Sequence, residues 1–218
     1  TRRMANAIFG YSWNGNSYTT HIVNPLQLNF IKLESIDEDF WERIRFSSLA
    51  YSYSDVLILG GSYSFIFNTQ KIQKARNYWF IRVNAETSGN LLGLIGELSG
   101  MKKTDETYNI FNQPFAQYFR TDIDMRYNII LNDVSSIVLR GFAGAGIPFG
   151  NSEAIPFEKQ YFGGGANGIR AWQVRTLGPG SYVPDELTFL NQTADIKIEA
   201  NAEYRFKLFW ILEGALFM

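Results

Sequence analysis

The most constraining feature of the sequence is a strict two-residue alternation of apolar and polar side chains. Residues 196–207 show this alternation in its clearest form. The apolar positions are Ile196, Ile198, Ala200, Ala202, Tyr204 and Phe206, and the polar positions between them are Lys197, Glu199, Asn201, Glu203, Arg205 and Lys207. Because successive side chains of a β-strand point to opposite faces, the pattern predicts a strand with one apolar face and one charged face.

Similar patterns predict about eight strands along the chain. They cover residues 4–13, 20–34, 57–68, 78–87, 115–129, 137–147, 196–207 and the segment from 208 onward, the second being broken near Pro25. Short connections at 14–17, 69–77, 131–135 and around Leu208 alternate with long ones at 35–55, 89–113 and 148–194. Two of the long connections carry helical signals, at 37–43 and 91–98. Short turns at one end and long loops at the other are typical of outer-membrane β-barrels.

The aromatic content favours the same class of fold. Phe, Tyr and Trp make up 16% of the 218 residues, and membrane barrels place aromatic girdles at both lipid interfaces. No apolar run approaches the ~18 residues that a transmembrane helix needs. We therefore predict an all-β fold, a transmembrane antiparallel β-barrel. The alternative is a soluble lipocalin-like barrel, in which the apolar face would point inward and the charged face toward solvent.

The composition also argues against several other functions. The chain has no cysteine, which excludes a disulfide framework, a thiolate metal site and a cysteine nucleophile. A formal net charge of −1 gives no basic field for nucleic acid. His21 is the single histidine and is expected to have a structural role, so a catalytic triad or a zinc site has almost nothing to use. We expect no enzymatic activity, no metal and no cofactor.

Charged residues on the predicted polar faces are expected to pair with one another. The groups concerned are Asp122 and Asp124 with Arg120 and Arg126, and Glu86 with Arg82. Pairing of opposite charges within a water-filled lumen explains them better than a metal site does.

The longest connection contains a glycine-rich stretch. Gly163, Gly165 and Gly168 match the spacing G-x-G-x-x-G. The match lacks the context of a nucleotide site, because no buried parallel strand precedes it and no helix or P-loop lysine follows it. Long loops without secondary structure of their own tend to be functional or disordered.

The same stretch resembles a known signature. Residues 161–172 read YFGGGANGIRAW, and RTLGPG follows at 175–180. These segments resemble loop six of the BamA/TamA superfamily of outer-membrane insertases, the bacterial surface antigen family. The sequence of residues 150–172 is most similar to the TamA-like (TamL) barrels of Bacteroidota. Where that family usually reads Val-Arg-Gly-Phe, this chain reads Ile169-Arg170-Ala171-Trp172. The motif positions are Gly163, Gly164, Gly165, Ile169, Arg170, Ala171, Trp172, Gly178 and Pro179.

The resemblance implies a sixteen-strand barrel, of which this chain supplies about half. Residues 1–218 would be part of the C-terminal barrel domain, with the loop-six motif at 148–182 folded inward and no second domain in the chain. The family's POTRA domains, its other strands and the barrel seam would lie outside this sequence. The protein is expected to be integral to the bacterial outer membrane.

The resemblance also implies a role for Arg170. In the family, the loop-six arginine pairs with a carboxylate on the inner wall of the barrel. Glu203 lies on the polar face of 196–207, so alternation points it toward the lumen. A guanidinium and a carboxylate can form a bidentate pair that fixes orientation as well as distance. In a partly dehydrated site, removing one partner is expected to cost about 2–5 kcal/mol.

The functional hypothesis is a non-enzymatic insertase that assembles proteins in the outer membrane. The expected partners are outer-membrane lipid, unfolded outer-membrane protein substrates and accessory assembly subunits, but no nucleic acid. A protein-secretion translocator of the same superfamily is one alternative, and its upstream domains would distinguish it. A passive porin-type channel is another, although a porin needs no such loop. A barrel tethered to an enzyme, or a surface antigen that binds through its long loops, is also left open.

Overall fold

The structure, a computed structural model, describes residues 2–33, 35, 37–44, 55–70, 77–100, 107–110, 113–181 and 192–218. The strands are β1 (Arg2–Asn16), β2 (Thr19–Leu33), β3 (Val56–Asn68), β4 (Tyr78–Ser88), β5 (Asn109–Ile110), β6 (Gln113–Pro114), β7 (Tyr118–Asn132), β8 (Ser135–Pro148), β9 (Ile196–Phe209) and β10 (Leu212–Phe217). The helices are α1 (Glu38–Ile44) and α2 (Asn90–Leu98), and a 3₁₀ turn covers Phe157–Lys159. Parts of the predicted connections, at 45–54, 71–76, 101–106, 111–112 and 182–191, lie outside the described residues.

Eight of the strands form one antiparallel meander in the order β1-β2-β3-β4-β7-β8-β9-β10. Every long strand therefore pairs with its neighbour in sequence, and β5 and β6 form a separate two-residue ladder. The eight predicted strands and the all-β class are confirmed. Within the described residues the sheet does not close on itself, so it is a section of a barrel wall.

Several strands begin or end at other residues than predicted, and three differences have a physical reason. β2 is not broken at Pro25 but runs through it, with a shift in register between Asn24 and Gln27. Proline has no N–H to donate, so a bulge at that point lets the strand continue. β7 begins at Tyr118 rather than Phe115, which instead bridges Leu57. The last turn falls at residues 210–211 rather than around Leu208.

The two faces of the sheet differ in what covers them. The apolar face is uncovered by the described residues: Ile198 is 84% exposed, and Trp79, Phe119 and Leu139 are also exposed. The polar face carries the glycine-rich loop, and Asp124 on that face is 0% exposed. A soluble barrel would bury the apolar face in its centre. The arrangement here is the reverse, so the soluble alternative was wrong.

The two predicted helices are present. The helix expected at 37–43 is α1, and the helix expected at 91–98 is α2. In the described part of the chain, neither helix has the length and apolar character that a membrane crossing requires.

A small apolar core caps the sheet at the end that carries the long connections. Ile58 of β3, Tyr118 of β7 and Ile155 of the glycine-rich loop are each nearly inaccessible and pack together with Ala116. This core ties the start of the loop to the wall before the loop descends over the polar face.

Candidate functional site

The candidate site is the contact between the glycine-rich loop, described over residues 149–181, and the polar face of β7, β8 and β9. The tip of the loop is a compact turn in which the N–H of Gly165 donates to the carbonyl of Trp172 at 2.9 Å. The N–H of Trp172 in turn donates to the carbonyl of Ile169 at 3.1 Å. Gly164 has a φ of +81°, and a Cβ there would collide with the backbone of Gln173, so this position requires glycine.

The departure of this chain from the family motif does not strain the tip. Among the described residues, only Arg175 and Trp210 combine a side chain larger than glycine with a positive φ. Ala171 therefore occupies ordinary backbone space, where alanine is as suitable as glycine. The side chain of Trp172 is half exposed.

The root of the loop is held by Tyr161. Its backbone N–H and carbonyl pair with Ala194 at 2.9 Å each, and its hydroxyl donates to the carbonyl of Thr121 at 3.0 Å. The ring lies over Gly144 of β8, where a Cβ would come within 2.6 Å of the ring. The guanidinium of Arg120 lies 4.3 Å from the ring centroid on its face. Burial raises the pKa of Tyr161 to about 12, so the hydroxyl remains a donor at neutral pH.

Asp124 is the centre of the charged wall beneath the loop. It accepts two hydrogen bonds of 3.0 Å from Arg126 on its own strand. It also accepts bonds of 3.0 to 3.3 Å from Arg140 on β8, and Arg82 of β4 approaches to 3.9 Å. One fully buried carboxylate therefore faces three guanidinium groups, which leaves a local excess of positive charge.

Arg140 connects this wall to the loop tip. Besides Asp124, its guanidinium donates to Glu199 of β9 at 2.9 Å and to the backbone carbonyl of Asn167 in the tip at 2.5 Å. Glu199 is also paired with Lys197 at 2.8 Å. The fork of an arginine has enough donors to serve two carboxylates and a carbonyl at once.

The structure places the two residues of the predicted ion pair in contact. The guanidinium nitrogens of Arg170 lie 3.3 and 3.4 Å from the two carboxylate oxygens of Glu203. Glu203 has a second partner, Arg205, which donates at 3.1 and 3.2 Å from the same strand. Arg170 also lies 5.0 Å from the ring centroid of Phe217 in β10. The loop tip thus reaches across β9 to its neighbour.

The other motif residues occupy different parts of the loop. Ile169 lines a cleft of about 330 Å³ between tip and wall, together with Arg170 and Glu203. Gly178 and Pro179 lie further along, beside the first residues of β9. Gly163 accepts from the N–H of Arg175 at 3.0 Å and so closes the loop above its root.

The charge pairing expected from sequence is correct in kind but not in every partner. Glu86 does not pair with Arg82, because residues four apart on one strand are separated by about 13 Å. Glu86 instead contacts Lys159 of the loop at 2.5 Å and accepts from the hydroxyl of Tyr118 at 2.6 Å. The described part of the chain has no group of three His, Cys, Asp or Glu residues that could hold a metal.

His21 lies on the apolar face among aromatic side chains. Its ring stacks on Trp13 at 5.2 Å, and its Nδ1 is 2.8 Å from the hydroxyl of Tyr63. Because these neighbours provide packing and one hydrogen bond, the contacts fit a structural role.

Sequence reasoning missed Arg140, Tyr161 and Lys159 as residues that hold the loop. Arg140 had a usable signal, because alternation places it on the same face as Gly144. Tyr161 and Lys159 carry no such signal, because a loop has no periodicity that predicts the direction of a side chain.

An open antiparallel wall with an uncovered apolar face, and with a loop docked on its charged face, defines a section of an outer-membrane β-barrel. The chain belongs to the Omp85 superfamily: a sequence model described as the Omp85 superfamily domain matches residues 2–218. Members of this superfamily are outer-membrane β-barrels that insert or transport proteins and are not enzymes. No curated protein matches the chain.

Proposed function

We propose that this chain is part of an outer-membrane insertase of the BamA/TamA type, in which Arg170 and Glu203 hold the loop against the inner wall. The observation that carries the proposal is the two-pronged contact of Arg170 with Glu203 at 3.3 and 3.4 Å. It joins the arginine of the Ile169-Arg170-Ala171-Trp172 motif to a carboxylate on the polar face of β9. Lipid would then contact the uncovered apolar face.

The mechanism proposed for the whole barrel depends on unpaired backbone at its seam. A strand edge in lipid leaves N–H and C=O groups without partners, at a cost of several kcal/mol per group. An unfolded outer-membrane protein can satisfy such an edge by adding its own strand. The part played by the present chain is to keep the wall and its loop in a defined shape while the seam opens. Accessory assembly subunits are further proposed partners.

Two finer assignments belong to the same proposal. The segment 150–172 supports placement among the TamA-like surface antigens of Bacteroidota, because its wording is most similar to theirs. Lys159 and Arg170 of the loop each pair with a carboxylate of the described wall, which supports a lumen occupied by the loop rather than the water-filled pore of a porin.

The test of the proposal is replacement of Arg170 by alanine in the full-length protein. We expect docking of the loop to weaken by about 1 kcal/mol, or about fivefold in its equilibrium constant, because Arg170 is partly exposed and exposed ion pairs contribute about 0.2–1 kcal/mol. The loss is smaller than the 2–5 kcal/mol expected from sequence, since Glu203 keeps Arg205 as a partner. The measurement is the amount of folded barrel proteins in the outer membrane, by quantitative proteomics, after the native copy is depleted.

The matched control is Arg205→Ala, which removes the other partner of Glu203. Among the described contacts, Arg205 makes no hydrogen bond or ion pair with the loop. This variant should leave barrel assembly near normal, and Arg170→Lys should restore part of what Arg170→Ala loses. Equal defects in the Arg170 and Arg205 variants would mean that Glu203 needs neutralisation rather than a docked loop. If depletion reduced a secreted protein and left the barrel proteins unchanged, the function would be that of a translocator.

A further inference from the structure

The helix α2 presents an apolar stripe that none of the described residues covers. Four of its nine residues are exposed aliphatic side chains spaced as one face of a helix: Leu91, Leu94, Ile95 and Leu98. Leu98 is 80% exposed. The opposite face consists of Gly93 and Gly96, which are buried. An ordinary surface helix has the reverse arrangement, with its apolar face toward the protein.

The glycine face fixes which way the stripe points. A Cβ on Gly93 would overlap the side-chain amide of Gln117, and a Cβ on Gly96 would touch the ring of Tyr108. The helix therefore lies close against its neighbours along this line, and the Nε2 of Gln117 donates to the carbonyl of Gly89 at 3.2 Å. The helix cannot turn its leucines inward without losing that close contact.

The position of the helix identifies what the stripe meets. α2 follows β4 directly, and Asn90 donates to the hydroxyl of Thr87 at 2.7 Å. Thr87 pairs with Phe119, and Phe119 pairs with Ile147, so all three share the last outward-facing row at this end of the sheet. Phe119 and Ile147 are exposed on the uncovered apolar face. The stripe thus continues that face beyond the end of the strands.

We infer that α2 is an interfacial anchor that lies in the outer boundary of the lipid bilayer with Leu91, Leu94, Ile95 and Leu98 among the acyl chains. The inference rests on the proposed membrane location of the wall. Long loops of such barrels lie on the outer side of the membrane, which is where α2 is found. Its one charged residue, Glu97, is outside the stripe, so apolar burial rather than charge holds it there.

Residues 1–218 contain no cysteine. Single-cysteine variants of the full-length protein, with any cysteine outside these residues replaced by serine, therefore allow a direct test. A fluorescent label is attached to Leu98→Cys, Glu97→Cys or Met125→Cys, the last being on the apolar face at the middle of β7. The protein is reconstituted in phosphatidylcholine vesicles that contain lipids with a nitroxide either close to the headgroup or deep in the acyl chain. Iodide in the water serves as a third quencher.

We expect the Leu98 label to lose more fluorescence to the shallow nitroxide than to the deep one, because interfacial helices sit about 5–10 Å into the boundary. The Met125 label should be quenched best by the deep nitroxide. The Glu97 label, one residue away from Leu98, should respond most strongly to iodide.

A Leu98 label that neither nitroxide quenches, beside a quenched Met125 label, would overturn the anchor while the membrane wall stood. A blue-shifted Leu98 label that all three quenchers leave unchanged would assign the stripe to a protein partner and overturn the anchor as well. A Met125 label that neither nitroxide quenches would overturn the proposed wall and, with it, the anchor.

Discussion

At the scale of single residues, the alternation of polar and apolar side chains does not by itself balance the charges on the polar face of the wall. Arg126 and Arg140 are directly opposite each other on β7 and β8. Like charges in that position repel, and both guanidinium groups bind the carboxylate of Asp124. Arg140 therefore needs further acceptors, and it finds them in Glu199 and in the carbonyl of Asn167. The surplus charge of the wall becomes an attachment for the loop.

Arg140→Met should free the loop tip while leaving the wall paired. Asp124 would keep its two bonds from Arg126, and Glu199 would keep Lys197. The carbonyl of Asn167 would lose a charged donor, a hydrogen bond of a kind that contributes about 1.5–3 kcal/mol. We expect backbone amides of residues 163–175 to exchange hydrogen at least about tenfold faster, measured by mass spectrometry of the reconstituted protein.

The control is Arg126→Met, which takes a partner from the same aspartate. Among the described contacts, Arg126 lines the cleft beside the loop tip but makes no hydrogen bond to it. This variant should not change exchange in 163–175, and Arg140→Lys should rescue little, because an ammonium lacks the planar fork. Unchanged exchange in the Arg140→Met variant would show that the tip is held without this bond.

The ion pairs of Glu203 and Asp124 show which contacts could be predicted from the sequence and which could not. Alternation placed Glu203 on the lumenal face, and the resemblance supplied Arg170 as its partner. Neither alternation nor the resemblance predicts Arg205 as a second partner of Glu203. Many charged residues are spaced two apart on one face of a strand without forming an ion pair. Arg126 was expected as a partner of Asp124, but the cross-strand partners Arg140 and Arg82 depend on strand register, which alternation leaves open.

At the scale of elements, the docking of loop on sheet depends on a gap in the side chains of β8. Gly144 leaves room for the ring of Tyr161 on the polar face, and Gly146 leaves room for Ile155. Gly141 of the same strand has no atom within 4 Å of where its Cβ would be. Glycines inside a strand favour a bend or a close approach of another chain segment, and of these three only Gly144 and Gly146 serve a close approach to the loop.

Gly144→Val should displace the root of the loop. The added side chain would meet the ring of Tyr161 at 2.6 Å or less, and overpacking of that kind costs about 1–3 kcal/mol. Tyr161 would also lose its bond to Thr121. We expect more rapid proteolysis of the loop in the folded barrel, followed by gel electrophoresis. Gly141→Val carries the same change in the same strand and should be cleaved at the wild-type rate; equal cleavage of both variants would refute the role of the gap.

Element boundaries were predictable only where a strand has the same partners along its whole length. Residues 115–117 keep the alternation of β7, but β4 ends at Ser88 and leaves them without its ladder. The N–H of Ala116 donates instead to the carbonyl of Leu57 in β3 at 2.9 Å. At the far end, the apolar run 208–212 hides a turn that depends on a positive φ at Trp210. Composition cannot show such a turn.

At the scale of the whole molecule, the strands are staggered as a barrel requires. One row of paired outward residues starts at Trp13, beside the turn between β1 and β2. The row continues through His21, Phe65, Val83, Ile123 and Ala143 to Ile198. Ile198 lies near the opposite end of the sheet, two residues into β9. Closing a barrel requires this kind of stagger between neighbouring strands. The position of each strand in the sequence could be predicted from its own alternation, but the stagger depends on the turns and bulges that join the strands.

The sidedness of the wall gives the prediction that concerns the molecule as a whole. Met125 is the middle residue of β7 and is exposed on the apolar face, whereas Ser64 of β3 lies on the polar face. An arginine that faces lipid near the midplane costs about 2–4 kcal/mol, while substitutions that face the lumen are tolerated. Met125→Arg should lower the free energy of unfolding in vesicles by that amount, with Met125→Leu as the volume-matched control. Ser64→Arg should change it by less than about 1 kcal/mol. If Ser64→Arg lowered the free energy of unfolding more than Met125→Arg does, lipid would have to contact the charged face. Because the loop occupies that face, this wall could not then belong to a membrane barrel.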